Sequence, residues 1–212
     1  MPHIHAIVPL ALLEALREAD VLPDDGGIDA FGDEGGTVKF GQSATVAAQI
    51  KRYSGLAVRD DRVDVTELAA LLRLVGRRSD AALVFGEAGR RAGRRAADRV
   101  SGTLRLAHRW SPGPVGNSVG RALVRRAAAD VLGIIVDKFS VAVWPDPDGM
   151  AAQTADGSAC ELFGAATAEL FRRFTTFDGA LFHVTCRAKG DPVCRWSTSP
   201  AETTSTTPRA DS

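Results

Sequence analysis

The 212-residue chain has little sulfur and little tyrosine: three Cys, two Met and one Tyr. Three cysteines are too few for an iron–sulfur cluster and a second metal site together. Excess charge is absent as well, with 26 Lys and Arg against 26 Asp and Glu and a pI near 6.9, so composition makes no electrostatic case for nucleic acid. No apolar run approaches the ~18–20 residues of a membrane span. Residues 4–16 are too short for one, are interrupted by Pro9 and lack a basic leader, which also argues against a secretory signal. The expected compartment is the cytoplasm, with reduced thiols. No G-x-G-x-x-G follows a strand, and no Walker loop, G-x-S-x-G or H-E-x-x-H occurs. No site for a hydride or electron donor is legible, and whether the chain is an enzyme stays open.

A chain of this length supports one substantial core, with or without an appended element. The periodicity predicts a helix from Pro9 to about residue 19, with Leu10, Leu13 and Leu16 on one face. Residues 24–42 (DDGGIDAFGDEGGTVKFGQ) read as a Gly- and Asp-rich loop. Further helices are expected over 65–76, opened by Asp64 or Thr66, over 81–100 after Ser79-Asp80, and over 118–132 after the knot WSPGPVGN (110–117). Residues 138–144 (KFSVAVW) alternate as a strand does, 159–174 are helical, and 182–185 with 193–196 form a hairpin. The organisation is a helical region over 1–78, a second unit over 79–197 and a polar, disordered tail over 198–212. Helices followed by a small antiparallel sheet crossed by a helix make the fold class α+β.

All three cysteines lie between positions 160 and 194, with one histidine among them: Cys160, His183, Cys186 and Cys194. Thiolate and imidazole are the ligands Zn²⁺ prefers, and Cys₃His is a closed structural set. In FHVTCRAKGDPVCRW (182–196), Cys186 leaves one strand, Lys189-Gly190-Asp191-Pro192 turns the chain and Cys194 returns opposite it. Cys160 comes from the preceding helix, so a metal would tie helix to hairpin. His183 and Cys186 are three residues apart, which on a regular strand puts them on opposite faces, so the site requires a bulge or strand end near Thr185. Two other readings remain open: unligated buried thiols, and a Cys186–Cys194 disulfide that leaves Cys160 unpaired.

GEAGRRAGRRAADR (86–99) carries Gly86, Gly89 and Gly93 within a helix, which suggests close approach of another helix or a flat ligand. Its Arg90, Arg91, Arg94 and Arg95 either grip carboxylates or phosphates or form a solvated face. His108, Trp110 and Trp144 are candidates for an aromatic pocket, with His108 as an axial ligand or hydrogen-bond donor. His3 and His5 are expected at a frayed terminus, with no metal.

The stretch CELFGAATAELFRRFTTFDGALFHVTCRAKGDPVCRW (160–196) resembles the 4-vinyl reductase domain family, whose hallmark is a hairpin of the C-R-A-x-G-D-x-x-C type preceded by a Cys at a helix head. The similarity covers these residues most fully, extends back to about residue 80 and is thin over 1–78. It implies a fold akin to trafficking-complex (TRAPP-like) subunits, a homodimer and an internal apolar pocket. It also implies a structural zinc ion on Cys160, Cys186, Cys194 and a fourth position, often Glu in the family, that is His183 here. The family name implies reduction of a vinyl group on a chlorophyllide precursor; with no donor site legible, the reading that fits both is binding or delivery of a tetrapyrrole intermediate in (bacterio)chlorophyll biosynthesis, alongside pigment-biosynthesis enzymes. Ligand contacts expected on that basis are His108, Trp110, Phe139, Trp144, Phe163, Arg94 and Arg95, with Phe182 nearby. Alternatives are a zinc-containing sensor of small aromatic or hydrophobic ligands, and a true divinyl reductase using an external cofactor.

Overall fold

A computed structural model describes residues 3–21, 40–100, 102, 113–137, 142–144 and 154–198. Among these, six helices accompany two small antiparallel sheets, so the chain is α+β as its sequence predicts. The central element is helix α1 (Ile7–Ala19). The sequence predicts one buried face, yet Val8, Ala11, Leu12 and Leu13 are all buried, because other helices enclose α1 on several sides. Pro9 sits in its first turn, where no intrahelical N–H is required.

Helix α2 (Ala44–Val58) follows Ser43, whose hydroxyl accepts from the Val46 N–H, and it packs on α1. Strand β1 (His3–His5) pairs with β2 (Arg62–Asp64). His5 is therefore not frayed: it is buried, its Nδ1 accepts from the Ile7 N–H, and its Nε2 donates to Asp60 at 2.9 Å. Asp64 caps α3 (Val65–Val75) through the Thr66 N–H, as predicted.

Helix α4 (Ala81–Asp98) lies against both α1 and the helix that carries Cys160, α6 (Cys160–Phe174). Its glycines explain the second contact. A Cβ at Gly89 would come within 2.2 Å of the Leu162 carbonyl, and one at Gly93 within 2.5 Å of the Ala166 carbonyl. The close approach anticipated from these glycines is to another helix. On the α1 side, Arg95 pairs with Glu14 at 2.8 Å and Arg91 with Glu18.

Helix α5 (Gly113–Ala127) starts inside the Pro- and Gly-rich stretch predicted to separate helices, with Pro114 in its first turn. It widens into a π turn at Ala128–Leu132 and stops at Gly133, which has a left-handed φ of 66°. The second sheet runs β3 (Ile135–Val136), β4 (Ala142–Trp144), β6 (Cys194–Ser197), β5 (Phe182–Thr185) in spatial order, all antiparallel. Helix α6 lies between β4 and β5 in sequence and presents Gly164 to the indole of Trp196, where a Cβ would meet Nε1 at 2.7 Å. That contact seats the final hairpin on the helix.

Candidate metal centre

The hairpin geometry follows from one extra residue. Along the β5–β6 ladder His183 faces Trp196, but Thr185, two positions on, faces Arg195, one position back. The bulge at Val184 resets the side-chain alternation and brings Cys186 to the face His183 already occupies. This is the irregularity the spacing required. On β6, Cys194 and Trp196 point inward while Arg195 is exposed. The His183 and Trp196 rings stack with centroids 5.0 Å apart and planes 13° from parallel, which fixes the imidazole plane.

Beyond Cys186 the chain makes a 3₁₀ turn, Arg187–Lys189, and reverses at Gly190 with φ 97°. The Asp191 carboxylate accepts from the Cys186 N–H at 2.7 Å, and the Arg187 N–H donates to Cys194 Sγ at 3.4 Å. Backbone donors aimed at a sulfur stabilise its thiolate form. Cys160 is the first residue of α6 and is oriented by the turn before it. There Thr154 accepts from the Ala159 N–H at 3.1 Å, and the Gly157 carbonyl accepts from the Cys160 N–H at 3.0 Å.

The ligand atoms of Cys160, His183, Cys186 and Cys194 all lie within 4.8 Å of one another. Cys160 Sγ is 3.8 Å from Cys186 Sγ and 3.5 Å from Cys194 Sγ. Four ligands arranged tetrahedrally at ~2.3 Å from one ion put their sulfurs about 3.8 Å apart, close to the spacing of Cys160 from each of the other two thiols. All three cysteines are free and buried, so the Cys186–Cys194 disulfide is not formed. Gly157, with φ 75°, closes the back of the site: a Cβ there would lie 2.8 Å from Cys186 Sγ. This Cys₃His group could hold a metal ion.

The electrostatics fit the same donor set. The Cys160 thiol beside it, then His183 and the Arg187 N–H, pull the Cys194 thiol down to about 4 against the opposing effect of burial. Cys160 moves the other way, raised first by its hydrogen bond with the Cys194 sulfur and then by burial. Three buried sulfurs and one imidazole converging on a point are the donor set that a borderline-soft cation takes.

The other sequence-predicted contacts are placed as follows. Arg94 pairs with Glu87 at 3.3 Å and Arg95 with Glu14, while Arg90 and Arg91 also reach Glu87, so much of this face is spent on ion pairs. Phe163 is fully buried on α6. His108, Trp110 and Phe139 lie outside the described residues, and Trp144 is described only through its backbone, opposite Cys194 in the β4–β6 ladder. Phe182 is exposed on the edge strand β5. Sequence reasoning missed Gly157, Asp191 and Trp196 as supports of the site. The Asp-Gly dipeptide at 156–157 is a turn signal that marks the first of these.

No family model, curated protein or solved structure matches the chain. No helix among the described residues is long and apolar enough to cross a membrane.

Proposed function

We propose that the chain is a zinc-clamped small-molecule-binding protein of the 4-vinyl reductase domain type, which holds or delivers a tetrapyrrole intermediate of (bacterio)chlorophyll biosynthesis. The observation that carries this reading is the convergence of Cys160, His183, Cys186 and Cys194 within 4.8 Å, on the elements that the resemblance assigns to a structural zinc ion. Cys₃His is a closed set with no open coordination position, so zinc here organises the fold and does not activate water. The metal would join the start of α6 to the β5–β6 hairpin, and with them the wall of a chamber for a flat apolar ligand. A TRAPP-like homodimer in the cytoplasm belongs to the same proposal.

Spectral titration of the purified, zinc-loaded protein with a Mg-porphyrin tests it. The reading predicts a saturable shift of the Soret band and pigment that copurifies from a pigment-making host. A colourless zinc protein that leaves the porphyrin spectrum unchanged and binds small phenols instead would replace the carrier with a sensor. Loss of the vinyl absorbance signature on adding NADPH to the pure protein would make it a reductase.

A further inference from the structure

The four side chains of the candidate metal centre are not equivalent. Cys160, Cys186 and Cys194 are 1%, 3% and 0% exposed, whereas His183 is the least buried of the four and stands on the edge strand β5. The thiols are also held by contacts of their own. The Cys160 N–H donates to the Gly157 carbonyl at 3.0 Å, the Cys186 N–H donates to Asp191 at 2.7 Å, and Cys194 Sγ accepts from the Arg187 N–H at 3.4 Å. His183 is held instead by its ring stack on Trp196. The site is thus three buried sulfurs, with Cys160 3.8 and 3.5 Å from the other two, and an imidazole at the rim.

That asymmetry matches a second class of ligand. Four-coordinate zinc draws on all four donors. Trivalent arsenic is softer: it bonds three thiolates in a pyramid and keeps a lone pair where a fourth ligand would stand, so it has no use for the imidazole. Charge points the same way. Zinc on three thiolates and a neutral imidazole leaves one negative charge among buried sulfurs. Arsenic(III) on three thiolates is neutral, and burial penalises uncompensated charge.

We propose that Cys160, Cys186 and Cys194 together bind trivalent arsenic, supplied as arsenous acid, in place of zinc, and leave His183 stacked on Trp196. Three As–S bonds form and three As–O bonds break. Each thiol proton leaves with a hydroxyl as water, and arsenic stays trivalent throughout. From zinc-loaded protein the three protons come from solvent and Zn²⁺ departs hydrated. Helix α6 then stays tied to the hairpin through sulfur alone. The inference rests on the thiol cluster used in the function proposed above, and on neither its tetrapyrrole nor its zinc.

Arsenite titration of the full-length, reduced protein tests this, in metal-free and zinc-loaded forms, on wild type and His183→Ala. Sulfur-to-arsenic charge-transfer absorbance reports binding, a chromogenic chelator reports released zinc, and X-ray absorption at the arsenic edge counts the sulfurs. Wild type should take one arsenic per chain on three sulfurs and release one zinc as it does so. His183→Ala should keep its arsenite affinity within about threefold of wild type, while its zinc affinity falls about tenfold or more. The proposal is overturned by absence of stoichiometric arsenic on wild type, by arsenic on fewer than three sulfurs, or by equal losses of arsenite and zinc affinity in His183→Ala. Arsenic on three sulfurs in a protein that takes up no zinc would remove the zinc clamp and uphold this proposal, and tight zinc with no arsenite uptake would do the reverse.

Discussion

At the residue scale, the chain's single tyrosine reports directly on its surroundings. Tyr53 is buried, and its hydroxyl donates to Glu67 Oε2 at 2.9 Å. Burial first, then the Glu67 carboxylate, push its pKa from 10 up to about 12. The folded value lies above the unfolded one, so this contribution to stability is complete below pH 10 and is lost as pH rises towards 12. Phenolate absorbance should titrate near 12 in native protein, and a midpoint at 10 with the fold intact would contradict the burial. Gly157 makes a second prediction. Alanine there would strain a left-handed backbone, at about 1 kcal/mol, and press a methyl on Cys186 Sγ. Zinc affinity, measured by chelator competition, should fall about tenfold or more, as it does when outer-shell partners are lost. Unchanged affinity would remove Gly157 from the site.

At the scale of elements, the α4–α6 crossing depends on backbone reaching backbone. Gly89→Ala and Gly93→Ala each gain helix propensity, about 1 kcal/mol, yet each drives a Cβ into a carbonyl of α6. Overpacking of this kind costs about 1–3 kcal/mol, so both variants should be destabilised on denaturant unfolding. Gly86→Ala meets only the far end of Arg90 at 3.7 Å and should be stabilised by up to about 1 kcal/mol. If all three substitutions shift stability the same way, the crossing has been misread. The same scale shows what the sequence conveys and what it hides. Helices α3 and α6 were legible from their apolar periodicity and, for α3, the Asp64 cap. Helix α2 was not, because Val46 and Tyr53 are its only buried residues and leave no stripe to read. Strands β1 and β2 are three residues each, too short for alternation to register, so His5 gave no sign of being buried.

At the scale of the whole molecule, the candidate metal centre was legible because cysteine is scarce here and all of it converges. The requirement for a bulge could be stated from the spacing alone, and Val184 supplies it. The cleft between α4 and α5 was not legible, since it gathers Asp60 from the end of α2, Arg99 from the end of α4 and Arg126 from α5, distant positions that share no motif. A metal bound at Cys160, His183, Cys186 and Cys194 would fasten α6 to the β5–β6 hairpin, at positions 26 and 34 residues apart in the case of the thiols. Cross-links of that separation restrict the unfolded chain more than the native one.

The central claim is tested most directly by elemental analysis and X-ray absorption at the zinc edge on untagged protein. The account predicts one zinc per chain, with three sulfurs at ~2.3 Å and one nitrogen at ~2.0 Å. Protein without stoichiometric metal, or zinc in an oxygen-dominated shell, would contradict it.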